Sequence, residues 1–305
     1  MTVILAKSAG FCYGVRRAVA LAEETAAASG GCWMLGDLIH NTAVVEDLRR
    51  RGVRKAERPE QVPPGETVVL RSHGELRGVL EELEERNVRT VSATCPNVVR
   101  IQRLVAQAEA EGRRAAVIGD PAHPEVRGVA SWGRDTLVFD GPEAVKMWLA
   151  ADVQNREIPL TVVVQTTCIR ELFETSCEIL KKECTNVKIF DTICNATHQR
   201  QTEAAQIAAK VDVMVVVGDR KSANTKHLTE ICMQSCSRVL QIEAADELSA
   251  DDFNGCSVAG LTAGAGVGLA VLWRVNPSWK QNLFMTGLLW AVGAATGMLL
   301  QLLPL

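Results

Sequence analysis

Three cysteines stand at one fixed distance from a repeated dipeptide. Cys12, Cys95 and Cys194 each lie 24 residues before the glycine of a Gly-Asp pair. Each follows a short apolar run and precedes a segment with the apolar spacing of an amphipathic helix. Equal offsets in matching context predict an internal triplication, in which every unit places one cysteine at the same point. The three thiols are therefore candidates for one shared site.

Three thiolates together can bind a cubane iron–sulfur cluster and leave one iron without a protein ligand. Such an iron could bind an oxygen of a substrate and act as a Lewis acid. Zinc also accepts three cysteines and a water, but its sites usually include close cysteine pairs, and only Cys232 and Cys236 lie one helical turn apart. Alternatively, each thiol caps a helix and packs as a small hydrophobe. The cysteines outside the threefold pattern are expected to be structural or incidental: Cys32, Cys168, Cys177, Cys184, Cys232, Cys236 and Cys256.

Polar side chains follow the predicted strands of all three units. The neutral and basic donors among them suit an anion such as a phosphate; they are His40, His73, His123, Ser222 and Asn224. Glu125 is the carboxylate close to a histidine, and with the Thr166 hydroxyl as a relay it could deliver a proton. This combination predicts a site that binds an anionic substrate and protonates it.

These residues also have purely structural interpretations. His40 and His73 could cap helices at strand ends, and Ser222 could be an N-cap. Glu125 could be a first-turn charge that the helix dipole favours. The Arg16-Arg17 pair is expected to form a solvated helix face.

The composition is that of an ordinary globular protein. The chain has 305 residues, 47% hydrophobic and 23% charged, with a net charge of −3 that gives no nucleic-acid-binding signature. Ten cysteines are many for an intracellular enzyme, and the first residues do not form a secretory signal. A cytoplasmic location is expected, where cysteines serve as metal ligands, nucleophiles or buried apolar groups rather than disulfides.

Strands alternate with helices along the chain, which predicts a parallel α/β architecture with ligand-binding loops at the strand ends. We predict three pseudo-symmetric α/β domains with small parallel sheets around a central iron–sulfur cluster. The domains are residues 1–94, 95–193 and 194–266. An atypical hydrophobic tail follows at 267–305.

Eight motifs give the chain a resemblance to a known family: AGFCYGV at Cys12, IHN at His40, RSHGE at His73, ATCPNV at Cys95, HPEV at His123, QTT at Thr166, DTICNAT at Cys194 and SANTKHL at Ser222. Over residues 3–265 the chain resembles the 4-hydroxy-3-methylbut-2-enyl diphosphate reductases of the non-mevalonate isoprenoid pathway. The resemblance implies one [4Fe–4S] cluster per chain, held by Cys12, Cys95 and Cys194. It also implies reductive removal of the substrate hydroxyl, giving isopentenyl and dimethylallyl diphosphates, with electrons from a ferredoxin or flavodoxin.

The resemblance further implies roles for the polar residues. The allylic diphosphate would be held by His40, His73, Ser222 and Asn224. His123 would lie near the substrate, bind it and take part in catalysis. Thr166 would also bind the substrate, and Glu125 together with Thr166 would supply protons. Two other functions stay open from the residues alone: a non-redox hydro-lyase that uses the iron as a Lewis acid, and a non-catalytic cluster-binding protein.

The C-terminal part departs from the family. Gly266 stands where the family has a diphosphate-binding serine, and Ala223 stands where some members have a second serine. Residues 283–305 form 23 residues without a charge, long enough to span a bilayer. This tail is interpreted as a membrane contact, an out-of-frame or chimeric gene end, or a buried helix.

Overall fold

The structure is a computed structural model that describes residues 1–264. Gly266 and the segment 283–305 therefore lie outside the described residues. The strands within this range are β1 (Thr2–Leu5), β2 (Cys32–Leu35), β3 (Val53–Ala56), β4 (Thr67–Leu70), β5 (Arg89–Ser92), β6 (Arg114–Ile118), β7 (Leu137–Phe139), β8 (Leu160–Val164), β9 (Val187–Ile189), β10 (Val213–Val217), β11 (Val239–Ile242) and β12 (Val258–Ala263).

The α-helices of the same range alternate with these strands. They are α1 (Tyr13–Ser29), α2 (Thr42–Arg50), α3 (Arg77–Glu85), α4 (Pro96–Ala110), α5 (Pro124–Ala130), α6 (Pro142–Ala151), α7 (Arg170–Glu183), α8 (Asn195–Ala208) and α9 (Ala223–Met233). Across the described part of the chain, no helix has both the length and the apolarity needed to cross a membrane.

The strands form three parallel four-stranded sheets with one shared topology. Their orders are β3-β2-β4-β5, β7-β6-β8-β9 and β11-β10-β12-β1. Each sheet is built from four strands, β2–β5, β6–β9, or β10–β12 followed by β1. In this sequence of four, the first strand lies between the second and the third, and the fourth pairs with the third. The predicted α/β class with three small parallel sheets is confirmed.

The third sheet takes its fourth strand from the start of the chain. β1 pairs with β12 in parallel, with Val3 opposite Ala259, and so occupies the place that β5 and β9 hold in the other sheets. The three cysteines of the repeat follow these three fourth strands. The predicted linear limits at residues 94, 193 and 266 stay a prediction; the sheet pairing groups residues 2–5 with the last repeat.

The central strands are apolar because helices cover both faces of a parallel sheet. Every residue of β8 and of β10 is buried, and both strands are rich in valine. Apolar side chains of the flanking helices, such as Val145 and Leu180, pack on the β8 sheet. The buried strands hold their C-terminal ends in place, and these ends carry the polar motifs.

The chain divides into two compact units. The first contains residues 1–12, 40–46 and the described residues from 195 onward, and with them the β10 sheet. The second contains Tyr13–Ile39 and Asp47–Cys194, and with them the sheets built on β2 and β6. Each unit is described separately below.

Candidate active site

Each cysteine of the repeat lies directly before a helix. Cys12 precedes α1, Cys95 precedes α4 and Cys194 precedes α8. All three thiols are partly exposed. A cysteine binds a metal through its sulfur, which must be accessible to do so. The repeat thus presents three accessible sulfurs at equivalent positions.

Most of the remaining thiols differ from these three in burial. Burial raises the pKa of Cys168, Cys177 and Cys232 to about 12, so these thiols remain protonated at neutral pH. The buried cysteines of the described chain are Cys32, Cys168, Cys177, Cys184, Cys232 and Cys236, whereas Cys256 is partly exposed. Protonated buried thiols are inert, which agrees with the structural role expected for them.

Backbone hydrogen bonds tie two of the cysteines to neighbouring polar strand ends. The N–H of Cys95 donates to the Ser72 carbonyl at 2.8 Å, and the N–H of Cys194 donates to the Thr166 carbonyl at 3.0 Å. Both pairs lie in the second unit, whereas Cys12 belongs to the first. Within residues 1–264, no three His, Cys, Asp or Glu side chains meet as a ready metal-binding group. The donor set itself, three partly exposed thiols at helix starts, fits the ligand chemistry of an iron–sulfur cluster.

Glu125 and Thr166 form a buried acid–hydroxyl pair. The Glu125 side chain accepts from the Thr166 backbone N–H and from the Thr166 hydroxyl, each at 2.6 Å. Burial raises the pKa of the Glu125 carboxyl, and the two hydrogen bonds from Thr166 only partly oppose that effect. A carboxyl with a raised pKa beside a hydroxyl can hold a proton and pass it on. The predicted pairing of these two residues is present.

His123 and His73 lie beside this pair. His123 is the N-cap of α5, where its Nδ1 accepts from the Glu125 backbone N–H at 3.1 Å. This bond leaves the proton of a neutral imidazole on Nε2. The His73 ring centroid is 6.1 Å from that of His123. The second unit therefore brings together His73, His123, Glu125 and Thr166.

The turn that carries His73 is held by a salt bridge within its own motif. Arg71 forms a bidentate pair with Glu75, whose side chain is 1% exposed. Gly74 has a φ of 83°, and a Cβ there would lie 2.8 Å from the Gln102 amide nitrogen. A side chain at position 74 would therefore be strained and crowded. Within the RSHGE motif, the Arg71–Glu75 salt bridge and Gly74 therefore determine the conformation of the turn that carries His73.

The first unit places Ser222 and Asn224 at the start of α9. Ser222 is the N-cap, as its structural interpretation proposed, and its Oγ accepts from the Thr225 backbone N–H at 3.4 Å. Asn224 is 4% exposed, and within residues 1–264 neither polar atom of its amide has a hydrogen-bond partner. The Thr225 hydroxyl is likewise buried without one. Unpaired buried polar groups are costly and commonly mark a ligand position. His40 belongs to the same unit.

Sequence reasoning misplaced Arg17. Instead of facing only solvent, its guanidinium donates to the Thr94 carbonyl at 3.2 Å and to the Ser92 carbonyl at 3.1 Å, in the segment before Cys95. Arg17 thus anchors the loop of a cysteine that lies 78 positions further along the chain. The spacing of α1 alone does not reveal this, because the carbonyl acceptors lie at and just after the end of β5, 75 and 77 residues further along the chain.

The loop before Cys12 is held by two charged residues of α8 that the sequence reasoning did not identify. Glu203 accepts from the Ser8 backbone N–H at 2.8 Å. The buried Arg200 donates to the Gly10 carbonyl at 2.7 Å, where Gly10 has a φ of 107°. A charged group that donates to a buried carbonyl stabilises the fold more than a neutral donor does. These contacts make the Cys12 loop part of the first unit.

Replacing Arg200 by methionine tests this anchoring. Arg200→Met is expected to lower the free energy of unfolding by about 1–3 kcal/mol, because the Gly10 carbonyl would be buried without a donor. Urea denaturation followed by circular dichroism measures the change. Arg220→Met is the control, since the salt bridge between Arg220 and Glu247 is exposed to solvent and its loss should change the stability far less. Equal stability of Arg200→Met and the unmodified chain would contradict the anchoring.

Comparisons with known proteins identify the family to which the chain belongs. The profile of the LytB protein family matches residues 3–275. The chain is 36% identical over 274 residues to the 4-hydroxy-3-methylbut-2-enyl diphosphate reductase of Caldanaerobacter subterraneus subsp. tengcongensis, covering 87% of this chain and 92% of that protein. It is 40% identical over 271 residues to the reductase of the same name from Geobacter sulfurreducens, with the same coverage.

Two solved structures are also similar. One is described as (E)-4-hydroxy-3-methyl-but-2-enyl diphosphate reductase, the terminal enzyme of the non-mevalonate pathway; it has a TM-score of 0.66 and 32% identity, covering 92% of this chain and all of that one. The E-1-hydroxy-2-methyl-but-2-enyl-4-diphosphate reductase from Plasmodium falciparum has a TM-score of 0.84, covering 91% of this chain and 89% of that one. At 23% identity, this second likeness shows the fold alone. The family expected from the motifs is confirmed: the chain belongs to the LytB protein family.

Proposed function

We propose that the chain removes the hydroxyl group of (E)-4-hydroxy-3-methylbut-2-enyl diphosphate by reduction, giving isopentenyl and dimethylallyl diphosphates. The conversion consumes two electrons and two protons: one proton leaves with the hydroxyl as water, and the other ends on carbon. The Glu125–Thr166 pair carries the proposal, because a buried carboxyl whose pKa is raised lies 2.6 Å from a hydroxyl. The family of the chain supplies the substrate class.

Cys12, Cys95 and Cys194 would hold one [4Fe–4S] cluster per chain. When bound, the cluster supplies the electrons of the reaction, which a ferredoxin or flavodoxin would deliver. The support for this ligand set is the contrast in burial between these thiols and the inert ones, together with their common place before a helix.

The proton path runs through the second unit. A protonated Glu125 donates to the Thr166 Oγ1, which in turn directs its own proton to the substrate. The Nδ1 of His123 accepts from the Glu125 backbone N–H, which fixes the ring beside the proton-donating pair. The fold excludes water from the carboxyl, which is 3% exposed. The proton donor would therefore be a side chain that is shielded from bulk water.

The diphosphate would be bound by His40, His73, Ser222 and Asn224. Asn224 supports this role, since its buried amide has unmet hydrogen-bonding capacity that phosphate oxygens can satisfy at the nitrogen. Gly266 has no side chain with which to replace the serine of the family, so any contact there would come from its backbone N–H.

Anaerobic purification followed by turnover tests the proposed function. We expect the full-length chain to carry about four iron atoms. We also expect it to oxidise a reduced viologen dye only when the hydroxylated diphosphate is added, with formation of both isomers. Water loss without dye oxidation would indicate a hydro-lyase instead. A cluster-loaded chain that turns over no substrate would refute the reductase assignment.

A further inference from the structure

Asn97 contacts the sulfur of a proposed cluster ligand. It is the second residue of α4, and its side-chain Nδ2 lies 3.3 Å from the Sγ of Cys194. Both residues belong to the second unit. A metal-bound cysteine is a thiolate, which can only accept a hydrogen bond, so the amide must present its NH₂ group to the sulfur.

This contact belongs to a cyclic pattern. Each helix that follows a cysteine of the repeat places at least one polar side chain against the loop of the next cysteine in the cycle. Arg17 of α1 donates to a carbonyl just before Cys95, and Arg200 of α8 donates to a carbonyl before Cys12. Asn97 of α4 differs from both arginines because it reaches the ligand atom itself. The two arginines hold the backbone of the cysteine loops in place, whereas Asn97 donates a hydrogen bond directly to the Cys194 sulfur.

We propose that Asn97 raises the reduction potential of the iron–sulfur cluster by donating an N–H···S hydrogen bond to Cys194; this inference rests on the proposed function. Reduction adds negative charge that is shared by the ligand sulfurs, so a donor stabilises the reduced cluster more than the oxidised one. Hydrogen bonds to the sulfurs are one of the means by which proteins set cluster potentials. The exposed position of Asn97 lets water compete, which limits the effect.

The variants Asn97→Leu and Asn97→Asp distinguish the effect of the N–H···S hydrogen bond from the effect of filling the space beside Cys194 with any side chain. Leucine removes the donor at similar size, and aspartate keeps the shape but cannot donate and adds a negative charge. We expect Asn97→Leu to lower the ratio of reduced to oxidised cluster at a fixed potential by about three- to tenfold. The upper value is a shift of about 59 mV toward more negative potential for a one-electron couple. Asn97→Asp should shift it further in the same direction.

The measurement is an anaerobic redox titration followed by electron paramagnetic resonance, with iron and sulfide content determined on the same samples. Gln107→Leu is the matched control, because Gln107 is an exposed amide on the same helix that bonds Glu111. An unchanged potential in Asn97→Leu with full iron content would overturn the inference, as would a shift in Asn97→Asp alone, which would indicate charge rather than a hydrogen bond. Failure of the unmodified chain to bind iron would instead refute the proposed function.

Discussion

Cys95→Ser, purified without oxygen, is expected to lose most of its iron and inorganic sulfide. A serine hydroxyl stays protonated at neutral pH and is a poor ligand for iron, so two cysteines would have to hold the cluster alone. Loss of outer contacts at metal sites already costs 10- to 100-fold in affinity or activity. Loss of a direct ligand should therefore cost more than about 100-fold in dye-coupled turnover. Iron and sulfide assays on the purified variant measure the first effect.

Cys256→Ser is the matched control for this substitution. Cys256 is also partly exposed, and its Sγ donates to the Val258 carbonyl at 3.3 Å, which a serine hydroxyl can reproduce. This variant should keep full iron content and activity. A second control, Cys232→Ala, removes a buried thiol and should reduce the free energy of unfolding by about 1 kcal/mol while leaving iron bound. Full iron content in Cys95→Ser would contradict the ligand assignment.

The repeat was predictable from sequence because its signal is local spacing. Each unit keeps the same distance from cysteine to Gly-Asp, since a helix and a strand of nearly fixed length separate the two positions. The polar strand ends were predictable for the same reason: in a parallel sheet, loops after strands form the ligand-binding edge. The pairing of Glu125 with Thr166 follows, because they come after neighbouring strands β6 and β8.

The partners of distant segments were not predictable in this way. β1 reads as a strand, but nothing within residues 2–5 indicates that it completes a sheet with β12 at the other end of the described chain. β3 gives no clear strand signal in the sequence, because Arg54 and Lys55 interrupt its apolar pattern, as an edge strand allows. Arg17 and Asn97 look like solvent-facing helix residues, yet their acceptors lie 75 to 97 residues away. Such contacts depend on the tertiary packing of segments that are distant in the chain, which the periodicity of a single helix does not encode.

Glu125→Gln should lower turnover by about 10²–10⁴-fold and leave the fold intact. The glutamine oxygen can still accept from the Thr166 backbone N–H, and its amide can donate to the Thr166 hydroxyl, so both native contacts have replacements. What is lost is the transferable proton. Thr166→Val should cause a comparable loss by removing the relay, whereas Thr166→Ser keeps a hydroxyl and should stay within a few-fold of the unmodified chain. Single-turnover assays with pre-reduced protein measure these effects without interference from the electron donor.

The pH dependence distinguishes a proton donor from a structural carboxyl. Because burial raises the pKa of Glu125, the proton is retained above the usual range of a carboxyl, and turnover should fall as the pH rises through that raised pKa. The residual activity of Glu125→Gln should not show this decrease at high pH. A flat profile in the unmodified chain, or less than a tenfold loss in Glu125→Gln, would refute the donor role.

Stability should respond to pH with a definite sign. The folded chain binds the Glu125 proton more tightly than the unfolded chain does, so this group's contribution to stability is fully present below the unfolded pKa, whose reference value is 4.5, and is lost as the pH rises through the raised folded pKa. A glutamine at position 125 is neutral at every pH, so it causes no loss of stability between pH 4.5 and the raised pKa of Glu125. Glu125→Gln should therefore gain stability relative to the unmodified chain as the pH rises from 4.5, which urea denaturation at several pH values measures. A stability difference that is constant with pH would mean that the buried carboxyl does not hold its proton, and the proposed route through Thr166 would then lack its source.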